Sequence, residues 1–277
     1  MWKKFLTISL SLAMVLSLAA CAPGPLAQEI VDGVVESLPD IKTYQFDMDM
    51  TMDIAAEAEG EAVEMTMVMG GSGALDLENR QMMMDMVINM AMPGEDEIEM
   101  EMATYLIGDM MYIFMEIPGM GPMWVKSEMP EGTWEEMNQV EPQIALLEAA
   151  QVEVIGSESV GGVDCYVLEV TPDMEQLWQL AMQQAELTGE MPTVAEEFIQ
   201  EMFHSFSMKQ WVAKDTYFLR RAEIDMAVEL TPEAMGFPGE EGVMTMDIVI
   251  DLLVYDYNQP VSIELPPEAE EAIEVPM

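Results

Sequence analysis

Gln81-Met82-Met83-Met84-Asp85-Met86-Val87-Ile88-Asn89-Met90-Ala91-Met92 decides how this chain is read. Every second residue, Met82, Met84, Met86, Ile88, Met90 and Met92, is apolar and nearly all are methionine. The alternate set, Met83, Asp85, Val87, Asn89 and Ala91, is mixed. A period of two is the period of a β-strand, whose side chains point alternately to opposite faces. The same writing recurs on both sides. Thr43 to Ile54 sets Tyr44, Phe46, Met48, Met50, Met52 and Ile54 against Asp47, Asp49, Thr51 and Asp53. Ala62 to Met69 sets Val63, Met65, Met67 and Met69 against Glu64 and Thr66, and Ile98 to Leu106 sets Ile98, Met100, Met102, Thr104 and Leu106 against glutamates 97, 99 and 101. Near the end, Met244, Met246, Ile248, Ile250, Leu252 and Val254 share one face. The expectation is a large antiparallel sheet with one soft apolar face and one acidic face.

The other segments complete an α+β, mainly antiparallel β plan of about ten or eleven strands. Helical spacing of Leu26, Ile30, Val34 or Val35 and Leu38 predicts a first helix, ended by Pro39-Asp40. Gly70-Gly71-Ser72-Gly73 reads as a bend or bulge, and 78–80, 93–96 and 108–109 read as turns. Met110 to Ile117 is a strand. Pro118-Gly119-Met120-Gly121-Pro122-Met123-Trp124 is an apolar loop, either a buried hairpin connection or a lip at a cavity mouth, before a short strand from Trp124 to Ser127. A helical stretch from about 131 to 150 is broken by Pro142. Val152 to Ser157 and Val163 to Thr171 form a hairpin around Val160-Gly161-Gly162. Helices follow over 172–187 and 193–204, then strands over 206–213, 217–230 and 243–257. The tail from Pro266 is acidic and reads as loose.

The first residues set the compartment. Lys3 and Lys4 precede an apolar run from Phe5 to Leu18, too short to span a bilayer and right for a signal peptide. Leu18-Ala19-Ala20-Cys21 resembles a bacterial lipobox, in which the cut falls before the cysteine and Cys21 carries the lipid. Residues 1–20 are then the leader, 21–26 a lipidated tether, 27–265 one domain and 266–277 the acidic tail. The expected location is the outer face of the bacterial cell membrane, lipid-anchored. Among 277 residues there are 9 basic and 53 acidic ones, a net charge of −44. That balance argues against nucleic acid and against electrostatic docking on anionic lipid. Only two cysteines exist, so with Cys21 lipidated Cys165 has no partner, and it reads as a small buried hydrophobe between Val163 and Val167.

The 33 methionines admit three readings. They are core filler, for Met packs irregular gaps and contributes about 1.5–3 kcal/mol when buried. They form a plastic apolar binding surface, for the thioether chain adapts to varied shapes where Leu, Ile and Val specify one. Or they bind Cu(I), which thioethers select, although a single His and one spare Cys offer little of the usual support. The candidate cavity-lining residues are Phe46, Met48, Met50, Met65, Met67, Met82, Met84, Met86, Met90, Met100, Met102, Met244, Met246 and Ile248.

Catalytic signatures are missing from the sequence, and no enzyme and no cofactor is expected. His204 is the one available base and reads as a surface or capping residue at a helix end. No His/Cys group has zinc spacing, and Gly70-Gly71-Ser72-Gly73 lacks the lysine and helix of a phosphate loop. Alternating carboxylates read as a solvated face; Asp47, Asp49 and Asp53 form a weak Ca²⁺ candidate without an EF-type loop.

Several pieces together resemble a family. After the lipobox and first helix come Ile41-Lys42-Thr43-Tyr44, then Tyr105-Leu106-Ile107-Gly108-Asp109-Met110-Met111-Tyr112 leading to Trp124-Val125-Lys126. Gly161-Gly162-Val163-Asp164-Cys165-Tyr166-Val167-Leu168 and Trp211-Val212-Ala213-Lys214-Asp215-Thr216-Tyr217 follow, then Tyr257-Asn258-Gln259-Pro260-Val261 and Leu265-Pro266-Pro267-Glu268-Ala269. Over about residues 25–275 the chain is similar to the LolA-like superfamily, most of all to its LppX/LprG-type lipoproteins. The resemblance implies a half-open antiparallel barrel whose concave face, covered by helices, holds lipid or acyl chains. The functional expectation is therefore a lipoprotein that binds or carries a hydrophobic ligand, with no chemistry on it. A structural or sensory surface lipoprotein with a filled core, and a Cu(I)-binding protein, are the alternatives.

Overall fold

The structure is a computed structural model, and it describes residues 27–58, 61–94, 96–119, 121–129, 134, 150–172, 203–231 and 242–275. The expected leader, Cys21 and the expected tether lie outside these residues, as do nearly all of the helical stretches expected over 131–150, 172–187 and 193–204.

One helix precedes the sheet: α1, Ala27–Ser37. Its buried stripe is Ile30 and Val31. Gly33 is required by a close approach, since a Cβ there would lie 2.7 Å from the Tyr217 ring. A single 3₁₀ turn, Leu38–Asp40, with Pro39 in its first positions, ends the helix and feeds the sheet.

The strands are β1 Thr43–Ala58, β2 Glu61–Asp76, β3 Gln81–Ala91, β4 Ile98–Ile107, β5 Met110–Ile117, β6 Gly121–Glu128, β7 Gln151–Val160, β8 Val163–Thr171, β9 Phe203–Ala213, β10 Leu219–Leu230, β11 Val243–Tyr255 and β12 Ile273–Glu274. They form one sheet in the order β12-β6-β5-β4-β3-β2-β1-β11-β10-β9-β8-β7. All neighbours are antiparallel except β12 with β6. The sheet ends on β12 and β7 and does not close, so the expected half-open, mainly antiparallel architecture is what forms. Its centre joins the two ends of the domain, because β1 pairs with β2 on one side and β11 on the other.

Short connections are written in turn residues. Asp76 accepts from the backbone N–H and the side-chain amide of Asn79, at 2.9 and 2.7 Å, which lets Arg80 take φ 54° and close the β2–β3 turn. Gly161 and Gly162 both have positive φ, 58° and 82°, the requirement of a two-residue turn matching the strand twist between β7 and β8. Asn258, at φ 57°, clips the end of β11 to the start of β1: its side chain accepts from Lys42 N–H and donates to Asp40 C=O.

Four expectations are corrected. The Gly70–Gly73 run is no bend: β2 passes straight through it. Gly73 faces Phe46 across the β1–β2 ladder, and the ring occupies the space a side chain would have taken; a Cβ on Gly73 would also lie 2.6 Å from Met83 C=O. The Pro118–Trp124 loop is shorter than expected, since β6 begins at Gly121 and pairs Pro122 with Glu116 and Met123 with Met115. His204 is in strand β9, not at a helix end, with Nε2 3.5 Å from Glu229 Oε2. The tail is not loose. Residues 267–271 form a 3₁₀ turn with Ala269 fully buried, and β12 then pairs with Val125 and Lys126 of β6. Two buried apolar residues inside an acidic tail, Ala269 and Ala272, carry this docking, with the β12 backbone pairing beside them.

Four clusters make the packed core of the described residues. Ile30 of α1 meets Leu168, Val170 and Val212. Trp134 meets Leu75 and Leu106 and donates to Gly108 C=O. Ile263 meets Ala103 and Tyr105. Cys165, Val167 and Trp211 form the fourth, so Cys165 is the buried small hydrophobe expected of it, and burial pushes its thiol pKa up.

Candidate functional site

The register assigns every strand residue to a face. Phe46 and each of the methionines named from the sequence fall on one of them. Across the strands, Met48, Gly71, Met86, Met102, Met115 and Met123 are successive partners. The next level runs Met50, Met69, Ile88, Met100, and the next Met52, Met67, Met90, Ile98. Met65 sits opposite Ile54, itself opposite Met246, while Met244 pairs with Ala56. Met82 pairs with Leu75 and Leu106, and Met84 with Gly73 and Thr104. Beyond β1 the levels continue with more branched residues: Met50 to Ile250, Ile224 and Met208, and Met52 to Ile248, Met226 and Phe206. No Asp, Glu, Lys or Arg belongs to these three levels, so they offer neither a carboxylate or amine to carry a proton nor a fixed charge.

Burial sets the methionines apart from the core. The described residues include 22 buried hydrophobic side chains, and none is a methionine. Of the fourteen residues named from the sequence, Ile248 is buried and the other thirteen are half-buried. Among the described residues, packing on the methionine face comes from α1 over β8 and β9 and from Trp134 over β2 and β4, and the levels through Met50 and Met52 on β1 to β4 belong to none of the four clusters. One end of the face is closed by aromatic rings. Tyr44 lies 6.3 Å from Phe46 and 5.9 Å from Tyr257, which lies 4.7 Å from Phe218. Tyr257 donates to Leu219 C=O at 2.6 Å, and burial drives the phenol pKa values of Tyr257 and Tyr44 upward.

The opposite face is acidic. Asp49 faces Asp251, which faces Glu223, and Asp53 faces Asp247. Arg221 partly neutralises this face. It donates to both Asp251 oxygens at 2.9 and 2.6 Å, reaches Glu223 at 2.6 Å, and lies 4.9 Å over the Trp211 ring. The Asp251 carboxylate holds the Arg221 pKa up. A groove of about 420 Å³ opens on this face among Gly70, Ser72, Asp85, Glu101, Ala103 and Phe114. Sequence reasoning did not find it; its signal was the small residues Gly70 and Ser72 at alternate positions of β2. Partial desolvation there raises the Asp85 pKa, and the Asp85 charge adds to burial in raising that of Tyr105. Among the described residues no group of three or more His, Cys, Asp or Glu is placed to hold a metal, and no helix is long and apolar enough to cross a membrane.

The sequence matches, over residues 26–274, a family described as "Family of unknown function (DUF6612)". No curated protein matches it. Similar solved structures include lipoprotein LppX of Mycobacterium tuberculosis, at 11% identity and TM-score 0.37, covering 85% of this chain and 97% of that one. LprF of Mycobacterium bovis is 12% identical with TM-score 0.43, covering 89% and 99%. A putative outer membrane lipoprotein-sorting protein domain from Vibrio parahaemolyticus is 12% identical with TM-score 0.24, covering 86% and 95%. The LppX-type lipoproteins to which the sequence was likened are thus among the similar structures.

Proposed function

The chain belongs to DUF6612, a family of unknown function, and from that premise we propose that it is a lipid-anchored extracytoplasmic lipoprotein that holds a hydrophobic ligand, lipid or acyl chains, against its methionine face. No chemistry is done on the ligand. The observation that carries this reading is the combination of position and burial: levels free of charged residues, several strands wide, whose described methionines are never fully buried while branched and aromatic residues dominate the core. A protein that used methionine as filler would place some of it among its fully buried side chains. Here an apolar chain laid across the levels of Met48, Met50 and Met52 would remove residual apolar surface from water, at about 25 cal/mol per Å². The flexible thioethers would adjust to its shape. In this reading Cys21 bears the anchor, and the apolar run before it is the leader that exports the chain.

The test is extraction. The Cys21→Ala chain, secreted and purified without detergent, is extracted with organic solvent and the extract is read by mass spectrometry. Lipid in stoichiometric amount, lost when Met50 and Met52 are both changed to Asp in a chain that still folds, is the expected result. An extract free of lipid, together with failure to take up a fluorescent fatty acid, would sink the reading. Labelling with a radioactive fatty acid, present in wild type and absent from Cys21→Ala, tests the anchor separately.

A further inference from the structure

We propose that the methionine face is also an oxidant-consuming surface, whose thioethers reduce neutral two-electron oxidants such as hypohalous acids and become sulfoxides while the sheet stays folded. The starting point is the same exclusion of methionine from the core, taken this time for its sulfur chemistry. Conversion of a buried methionine to its sulfoxide puts a polar S=O group into a packed interior and breaks the fold. That penalty needs burial, and none of the described methionines is fully buried. Among the described residues, the four core clusters are centred on Leu, Ile, Val, Ala, Cys, Tyr and Trp, with no thioether at any centre. Backbone pairing is untouched by side-chain oxidation, and Met86, Met102 and Met115 stand at directly paired positions on three adjacent strands. Susceptibility follows exposure, and these methionine side chains keep part of their surface open to solvent.

Charge selects the oxidant. A net charge of −44 surrounds the sheet with negative potential, which repels hypochlorite and other anions and leaves neutral hypohalous acid free to approach. The step balances without a cofactor. The sulfur of one thioether takes the oxygen of one hypochlorous acid: an S–O bond forms, the O–Cl bond breaks, chlorine leaves as chloride, and the proton passes to solvent. Sulfur loses two electrons and chlorine gains them. Sulfoxide reductases working with a dithiol would return the face to its starting state. The inference does not depend on any ligand being carried there.

The experiment treats the folded full-length chain with increasing equivalents of hypochlorous acid. It follows the number of added oxygens by intact mass, their positions by peptide mapping, and the fold by circular dichroism and urea unfolding. Met86, Met102 and Met115 are expected to be oxidised in the folded state, at no less than about a tenth of the rate of free methionine, with the strand signal and a cooperative transition retained. A parallel chain grown with norleucine in place of methionine, which keeps the length of the side chain and removes the sulfur, is expected to lose most of the oxidant consumption. The proposal is overturned if oxygens appear only as fast as the protein unfolds, or if the first few oxygens abolish the transition. Equal oxidant consumption by the norleucine chain would overturn it too.

Discussion

Gly73 and Phe46 show how a single position decides a strand's course. Phe46 covers the partner glycine, and the Met83 carbonyl closes the remaining space from the next strand. Gly73→Ala should therefore destabilise by about 1–3 kcal/mol, because the ring can swing aside but the carbonyl cannot; the shift in urea midpoint at unchanged slope measures it. Arg221 is the second residue on which much rests. With it gone, Asp251 and Glu223 face each other at paired positions and Trp211 loses the cation above it. Arg221→Gln should cost about 1–2 kcal/mol at low salt and less in high salt, where screening replaces the lost neutralisation. Asp85 gives a sign that can be checked. Its pKa is raised in the folded protein, so the native state holds its proton more tightly than the unfolded chain does. That contribution to stability is fully present below the ordinary carboxylate range and is lost as pH rises through the folded value. Asp85→Asn should thus stabilise at neutral pH and give no benefit in acid, a difference that urea titrations at about pH 7 and about pH 2.5 would show.

Among the elements, the last one changes the picture most. The C-terminal segment lays Ile263 against Ala103 and Tyr105 on the acidic face, buries Ala269 and Ala272, and then covers the edge of β6. Deleting residues 266–277 should strip that edge and yield concentration-dependent self-association, measurable by light scattering, with faster amide exchange along β6 than along β1. The segment's acidity hid this role, because Glu268, Glu270 and Glu271 dominate its composition while the docking rests on two buried alanines. Long strands were legible for the opposite reason. A sheet covered unequally on its two sides imposes period two, and Met48-Asp49-Met50 or Met244-Thr245-Met246 can be assigned to faces without any coordinates. Glycines misled where a neighbour compensates for them: Gly70 to Gly73 look like a break only if Phe46 is left out. The acidic-face groove was illegible because it arises between strands, from Gly70 and Ser72 beside Asp85 and Ala103, and nothing within one strand announces it.

For the whole molecule, charge and apolar surface are separated by the thickness of a sheet. Charges concentrate on the side where Asp49 faces Asp251 and Asp53 faces Asp247, and the methionine levels lie behind them. Self-repulsion of that side should make the folded state sensitive to ionic strength, with the thermal midpoint rising as monovalent salt is added and levelling off once the screening length falls below strand spacing. The sheet order carries one more consequence. Its central strand, β1, is hydrogen-bonded on one flank to its immediate successor and on the other to β11, so Gln45 finds Tyr255 only after two hundred intervening residues exist. Contacts so distant in the chain make nucleation slow, and the half of the sheet from β7 to β11 cannot join the half from β1 to β6 while the C-terminal third is still being delivered. A nascent chain halted before residue 243 would hold β1 to β6 and β7 to β10 as two unjoined pieces, so the domain becomes one sheet only when β11 arrives.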